Sequence, residues 1–343
     1  MKIIVDDKIP FIRGQVEHLA DEVVYRKGRD ICPADVRDAD ILLIRTRTQC
    51  DRRLLEGSQV RFIVTATIGY DHLDTDYLRE AGIQWTNCPG CNATSVAQYV
   101  RNSLLTLERQ GIVNLQESTL GLIGYGHVGK AVYEAMRPYV KEIRVNDPPL
   151  FEGQGARGKE QGARSKEQGL GVDSLEALRA SCDIITLHTP LTHSGPYPTH
   201  HLVDEAFLQR LVHRPILINA ARGGVVDEAA LLKALDTGQI RAAVIDTWEG
   251  EPDIDRELLK RSAIATPHIA GYSADGKANA TRMTLEAVAR WTGHNEHFSI
   301  LPPEASPTRT ALNYDPTEDT LPLKLHPEDF EQQRGNYPLR REA

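Results

Sequence analysis

Three polar side chains recur at comparable places in the sequence, each just past a short apolar run. Arg222 lies in Asn219-Ala220-Ala221-Arg222-Gly223-Gly224, and Glu251 in Asp246-Thr247-Trp248-Glu249-Gly250-Glu251-Pro252. His268 lies in Thr266-Pro267-His268-Ile269-Ala270-Gly271. An imidazole accepts a hydroxyl proton near neutral pH, a guanidinium orients a carboxylate, and a carboxylate holds an imidazole in one tautomer. That is the set needed to oxidise an alcohol beside a carboxylate. Each residue alone has a structural explanation, since single histidines and arginines usually serve packing or solvation. Their repetition at successive strand ends points to a catalytic site.

Such chemistry needs a hydride acceptor, and the stretch Thr119 to Gly129, TLGLIGYGHVG, offers a place for one. A short apolar run breaks at Gly124-Tyr125-Gly126-His127-Val128-Gly129, and helical spacing begins at Val128. Gly124 suits the tight turn, Gly126 the close approach of a pyrophosphate, and Gly129 the packing of helix on strand. The helix N-terminus adds free N–H groups and partial positive charge. A second apolar run, Ile143 to Asn146, ends at Asp147, placed to accept the ribose hydroxyls of NAD and to repel the 2′-phosphate of NADP. The alternative is a glycine-rich turn that binds nothing. A further candidate is Arg45-Thr46-Arg47-Thr48, with Thr67 past the next strand. Two guanidiniums and several hydroxyls at strand ends could hold an anion such as a phosphate, or form a solvated basic turn. Tyr272, four residues after His268, could add a hydroxyl. Cys88-Pro89-Gly90-Cys91 is a C-x-x-C, but it does not clearly open a thioredoxin-like helix and lacks the second pair of a zinc site. It reads as two loop cysteines.

The elements that must carry these groups follow from periodicity. Lys2 to Val5, Ile41 to Ile44, Phe62 to Val64 and Ile83 to Trp85 read as strands, and Pro10 to Leu19 as a helix. From Ser95 to Leu107 the apolar spacing is helical. Strands then follow at Thr119 to Ile123, Ile143 to Asn146, Ile184 to Leu187, Ile216 to Asn219, Ala242 to Ile245 and Ile264 to Thr266. These observations predict an α/β protein of two doubly wound parallel-sheet domains. A helix over about Asp275 to Trp291 is expected to cross back to the first. Leu301 to Pro327 shows little periodicity, and the charged stretch Phe330 to Ala343 reads as a docking arm or a frayed tail. The tandem repeat QGARGKE-QGARSKE, Gln154 to Glu167, has no large apolar residue and predicts a disordered surface insertion over 151–170.

At 343 residues the chain is long enough for two or more domains. Its net charge of −8, without a basic block, argues against nucleic acid as a partner. No apolar run is long enough to span a bilayer, and MKIIVDD enters a strand without a signal peptide, so a soluble cytoplasmic protein is expected. Five cysteines argue against a disulfide framework.

The combination GYGHVG, HTPLT (His188 to Thr192), NAARGGVVDE, DTWEGEP and PHIAG resembles the D-isomer-specific 2-hydroxyacid dehydrogenase family up to about Trp291. The resemblance implies a flavodoxin-like substrate domain (1–93 and 269–300) around an inserted Rossmann NAD domain (94–268). It implies catalysis by Arg222, Glu251 and His268. NAD contacts are implied at Asp147, Thr189, Ala220, Ala221, Arg222, Asp246 and Gly271, and substrate contacts at Thr46, Thr67 and Tyr272. The substrate would be a small phosphorylated hydroxy acid. FEQQRGNYPLRRE resembles the end of a C-terminal dimerisation domain, here a shortened segment (301–343), which implies a homodimer. Some members of the family are NADH-binding transcriptional corepressors, so a non-enzymatic role stays open at this point.

Overall fold

The computed structural model describes residues 1–150, 173–294, 296–304, 314–338 and 340–342, so the tandem repeat lies outside the described residues. The chain divides into two compact units, Met1–Asn92 with Ser273–Glu304, and Ala93–Tyr272 with Ala305–Ala343.

The first unit is built on a parallel sheet of β1 (Lys2–Asp6), β2 (Glu22–Arg26), β3 (Ile41–Ile44), β4 (Phe62–Thr65) and β5 (Gln84–Thr86). Their order is β2-β1-β3-β4-β5, the flavodoxin-like arrangement. β3 (ILLI) and β4 (FIVT) bury every side chain, as strands covered on both faces do. β2 escapes a reading by apolar runs because EVVYR is an edge strand, exposed at both ends and only half-buried between.

The helix expected over Pro10 to Leu19 does not form; the stretch is a chain of turns with one short 3₁₀ segment, Glu17–Leu19. Its apolar spacing is still used, since Ile12, Val16 and Leu19 are all buried. Phe11 at φ 60° and Gly14 at φ 80° are left-handed, which interrupts a right-handed helix twice. The helix Ala274–Trp291 belongs to this unit. Ser273 caps it by accepting from the Gly276 N–H at 2.8 Å. Leu285 and Val288 enter the core formed by Ile3, Val5, Ile41 and Val64, and Trp291 stacks on Phe62 at 5.4 Å.

The second unit holds six parallel strands: β6 (Thr119–Ile123), β7 (Glu142–Asn146), β8 (Ile184–Leu187), β9 (Ile216–Asn219), β10 (Ala242–Ile245) and β11 (Ile264–Ala265). They run in the order β11-β10-β9-β8-β6-β7. The order reverses at β6, which has β7 on one side and β8 on the other, and such a switch point opens a crevice at the carboxyl ends of the strands. The helix Ala93–Arg109 packs Val96, Tyr99, Val100 and Leu104 into one core with Val132 and Met136 of the helix His127–Met136.

The C-terminal stretch is not a frayed tail. A helix, Thr317–Leu325, lies against β11, and Thr320 Oγ1 accepts the Ala265 N–H at 3.1 Å. That contact covers the short edge strand of the sheet, which would otherwise present unpaired backbone groups. Phe330 and Arg340 are fully buried. All five cysteines are free thiols, and Cys88 and Cys91 are buried. Burial pushes the Cys88 thiol up to about 11, against a redox role for the pair. Among the described residues no helix is long and apolar enough to cross a membrane.

Candidate active site

His268 follows β11 in a left-handed conformation, φ 56°, which a non-glycine residue holds only when its surroundings impose it. Here they do. The carboxylate of Asp246, 1% exposed, accepts from Thr266 Oγ1 at 2.6 Å, from the Ile269 N–H at 2.7 Å and from the Ala270 N–H at 3.0 Å. The Tyr99 hydroxyl pairs with Thr266 Oγ1 at 2.8 Å, and Trp248 Nε1 donates to the Thr266 carbonyl at 3.0 Å. The backbone is therefore pinned on both sides of the histidine. Both oxygens of Asp246, for which the sequence suggests an NAD contact, serve this loop. Burial raises the Asp246 carboxyl above its ordinary value.

The imidazole meets Glu251: His268 Nδ1 is 2.9 Å from Oε2 and 3.1 Å from Oε1. Oε1 also accepts the Trp248 N–H at 2.9 Å, and Arg334 Nη1 lies 3.7 Å from Oε2. Burial alone would raise the Glu251 carboxyl, but the bond and charge of His268, the Trp248 N–H and Arg334 together hold it below its ordinary value. An ionised Glu251 accepts only, so Nδ1 carries the hydrogen and Nε2 is left to exchange a proton.

Arg222 follows β9, the neighbour of β10. Asn219 shapes its loop: Nδ2 donates to the Arg222 carbonyl at 3.0 Å, and Oδ1 accepts the Ala221 N–H at 3.2 Å. Arg222 Nη1 donates to the Ala221 carbonyl at 2.7 Å. Any Cβ at Gly223 would come within 2.0 Å of the Trp248 carbonyl oxygen, so only glycine lets the loops after β9 and β10 touch. Arg222, Glu251 and His268 thus follow three adjacent strands, β9, β10 and β11.

The switch point has the form of a dinucleotide cradle. Gly124 has φ 96°, and a Cβ there would stand 2.6 Å from the His188 carbonyl oxygen, just past β8. A Cβ on Gly129 would meet the Gly124 oxygen at 2.1 Å, whereas one on Gly126 would meet nothing within 4 Å. The open space lies at the N-terminus of the helix that carries Val128. Asp147 closes the turn from β7, accepting the Tyr125 N–H at 2.6 Å and the Leu150 N–H at 3.1 Å. The hydroxyls of Thr189, after β8, and Thr247, after β10, are buried without a partner among the described residues. Orphaned hydroxyls past strands of the same sheet as the open glycine turn fit a polar cofactor laid along the strand ends.

In the first unit, β3 and β4 pair with Ile44 opposite Thr65, so Arg45 and Thr46 stand beside Ala66 and Thr67 at adjacent strand ends. Arg45 Nη1 donates to the Lys8 carbonyl at 2.9 Å, and Thr46 and Arg47 are exposed. Thr67 Oγ1 donates to the Gly69 carbonyl at 2.9 Å and pairs with Thr65 Oγ1 at 2.7 Å. Tyr272 is in the second unit, next to Gly271, and its hydroxyl accepts from Arg334 Nε at 3.1 Å. Sequence reasoning passed over Arg334. Its only signal is a cation in the C-terminal string FEQQRGNYPLRRE, with nothing to say which residue it meets.

Comparison with known proteins gives this geometry its context. The family model "D-isomer specific 2-hydroxyacid dehydrogenase, NAD binding domain" matches residues 92–270. Relatives named erythronate-4-phosphate dehydrogenase match over the whole chain. One from Bacteroides fragilis (strain YCH46) is 48% identical with 97% of its length covered, and one from Porphyromonas gingivalis is 42% identical with 94% covered. One from Escherichia coli (strain SMS-3-5 / SECEC) is 40% identical with 92% covered. Among solved structures, D-lactate dehydrogenase from Aquifex aeolicus, complexed with NAD and lactic acid, superposes with a TM-score of 0.68 at 23% identity. It covers 88% of this chain and 100% of its own. A glyoxylate reductase from Paecilomyes thermophila gives a TM-score of 0.70 at 22% identity, covering 88% of this chain and 98% of its own. These two likenesses establish the fold. A family model over more than half of the chain, together with full-length relatives at 40% to 48% identity, shows that the chain belongs to the D-isomer-specific 2-hydroxyacid dehydrogenases, enzymes that work with NAD.

Proposed function

We propose that the enzyme oxidises 4-phospho-D-erythronate at C2 to the corresponding 2-oxo acid, (R)-3-hydroxy-2-oxo-4-phosphooxybutanoate, a step toward pyridoxal 5′-phosphate. The observation that carries the substrate is the name shared by the relatives at 40% to 48% identity. The His268–Glu251 pair supports the chemistry. Bound NAD supplies the hydride acceptor. His268 Nε2 takes the proton of the C2 hydroxyl while Glu251 holds the hydrogen on Nδ1. Arg222 pairs with the substrate carboxylate. Gly124, Gly126, Val128, Gly129 and Asp147 would hold the cofactor at the switch point. Thr189, Ala220, Ala221, Arg222 and Gly271 would add further contacts to it, with Asp246 holding the His268 loop.

The terminal phosphate decides specificity in this reading, and Arg45, Thr46 and Thr67 take it, with Tyr272 adding a hydroxyl. The first unit then serves the substrate, the second NAD, and the C-terminal segment contributes to a homodimer in the cytoplasm. The homodimer rests on the likeness of FEQQRGNYPLRRE to the end of a dimerisation domain.

The test follows NADH formation with 4-phospho-D-erythronate, plain erythronate and 3-phosphoglycerate. His268→Ala should lose roughly 10²–10⁴-fold in turnover with NAD affinity intact. Arg45→Ala should lose roughly ten- to hundredfold in kcat/KM for the phosphorylated acid and little for plain erythronate. Faster turnover of 3-phosphoglycerate, or indifference to the phosphate, would overturn the substrate. A His268→Ala enzyme of near-normal turnover would overturn the proton-transfer assignment.

A further inference from the structure

Arg334 belongs to none of the roles assigned above, yet it touches two residues that have them. It stands on the short helix Phe330–Gly335, anchored by Phe330, which is fully buried in the same core as Leu323. Past that helix the Tyr337 hydroxyl donates to Asp319 at 2.9 Å. Arg340 Nη2 donates to the Ala270 carbonyl and to Ser95 Oγ, each at 2.6 Å. The C-terminal segment is thus tied down on both sides of Arg334, and one tie reaches the loop that carries His268.

From that position the Arg334 side chain, 21% exposed, has Nη1 3.7 Å from Glu331 Oε1 on its own helix and meets two residues outside that helix. Nε donates to the Tyr272 hydroxyl at 3.1 Å, with the guanidinium 5.8 Å from the centre of the Tyr272 ring. Nη1 lies 3.7 Å from Glu251 Oε2, the oxygen nearer to His268 Nδ1. A planar guanidinium can keep two such partners at a fixed separation, which a flexible ammonium cannot. Carboxyl groups also act on the pair, Asp246 on the histidine and Glu228 on Glu251, while Glu331 pairs with Arg334 on its own helix. Arg334 offsets that negative field at the carboxylate.

We propose that Arg334 is a positioning residue of the dehydrogenase reaction: from the C-terminal helix it fixes the Glu251 carboxylate behind His268 and the Tyr272 hydroxyl at the substrate side. The proposal rests on the assignment of His268 and Glu251 made above. It gives the C-terminal segment a part in catalysis within its own chain, apart from any part in dimerisation.

The experiment compares Arg334→Gln, Arg334→Lys, Glu251→Gln and His268→Ala in NAD reduction with 4-phospho-D-erythronate, as kcat and KM across pH. Arg334→Gln should lower kcat/KM by roughly ten- to hundredfold. It should also move the acidic limb of the kcat/KM profile to higher pH, because a carboxylate without its cation holds the imidazole proton more firmly. Glu251→Gln should move the same limb to lower pH. Arg334→Lys keeps the charge and covers the case in which the glutamine variant does not fold. Its limb should stay in place while KM rises several-fold, since the bond to Tyr272 is disturbed. An Arg334→Gln enzyme that folds and keeps the wild-type limb would overturn the proposal, and so would an Arg334→Lys enzyme of wild-type KM. A His268→Ala enzyme with near-normal turnover would instead overturn the underlying assignment.

Discussion

Gly126 and Gly129, three residues apart in the same turn, make a paired test of the cradle. Gly126 is the N-cap of the helix His127–Met136 with φ −74° and ψ −154°, a conformation open to alanine, and a Cβ there meets nothing within 4 Å. Gly126→Ala therefore leaves the fold almost untouched. The weaker N-cap costs about 0.5–1 kcal/mol, and the stiffer unfolded chain returns about 0.4–1 kcal/mol. In the proposed complex with NAD the same methyl would occupy the approach of the pyrophosphate. Losing one charge-assisted bond to it costs about 1.5–3 kcal/mol, roughly ten- to hundredfold in affinity. Gly129→Ala acts oppositely: its Cβ would sit 2.1 Å from the Gly124 oxygen, so backbone must move before any ligand arrives. Overpacking of that kind costs about 1–3 kcal/mol or more.

Thermal melting with and without NAD separates the two. At a concentration a hundred times the wild-type Kd, NAD should stabilise the native enzyme by about 2.7 kcal/mol, or roughly 4 °C in Tm. For Gly126→Ala with a hundredfold weaker Kd, the same concentration gives about 0.4 kcal/mol, roughly 1 °C, on an unchanged starting Tm. Gly129→Ala should start several degrees lower even without NAD. A full NAD shift in Gly126→Ala, or a wild-type starting Tm in Gly129→Ala, would refute the reasoning.

Two further outcomes follow from single carboxylates. Asp147 at the end of β7 should enforce NAD over NADP, because its charge would face the 2′-phosphate; Asp147→Ser should narrow the ratio of kcat/KM values for the two cofactors, and equal efficiencies in the wild type would sink the idea. Glu228, 9% exposed, is pushed by burial from the ordinary 4.5 up to about 7. A raised folded-state value means that its contribution to stability is complete below about pH 4.5 and is lost as pH rises through about 7. Glu228→Gln keeps an acceptor for the Glu249 N–H, now 2.7 Å from Oε1, without the buried charge. It should melt higher than wild type above about pH 7 by roughly 1–3 kcal/mol and show no such gain at pH 5, and a gain independent of pH would exclude burial of the charge as its cause.

Much of this enzyme was legible in its residues because the informative features are local. Apolar runs such as ILLI and TLGLI mark buried parallel strands, and the spacing of Gly124, Gly126 and Gly129 marks a strand-to-helix turn. Arg222, Glu251 and His268 could be grouped because each follows its own strand at short range, and adjacent strand order in the sheet then brought their loops together. The misses have physical causes of the same scale. β2 is an edge strand without an apolar run, and the spacing of Ile12, Val16 and Leu19 imitates a helix while Phe11 and Gly14 turn the chain left-handed. What tertiary structure alone decided is which distant groups meet. Asp246 turned out to brace the His268 loop through Thr266, Ile269 and Ala270, 20 to 24 residues away in sequence. Arg334, 62 residues beyond Tyr272, reached that tyrosine and Glu251 only because the C-terminal helices dock over the edge of the sheet. Strand and turn propensities act within a few residues, whereas those contacts depend on how whole elements pack, and no local pattern encodes them.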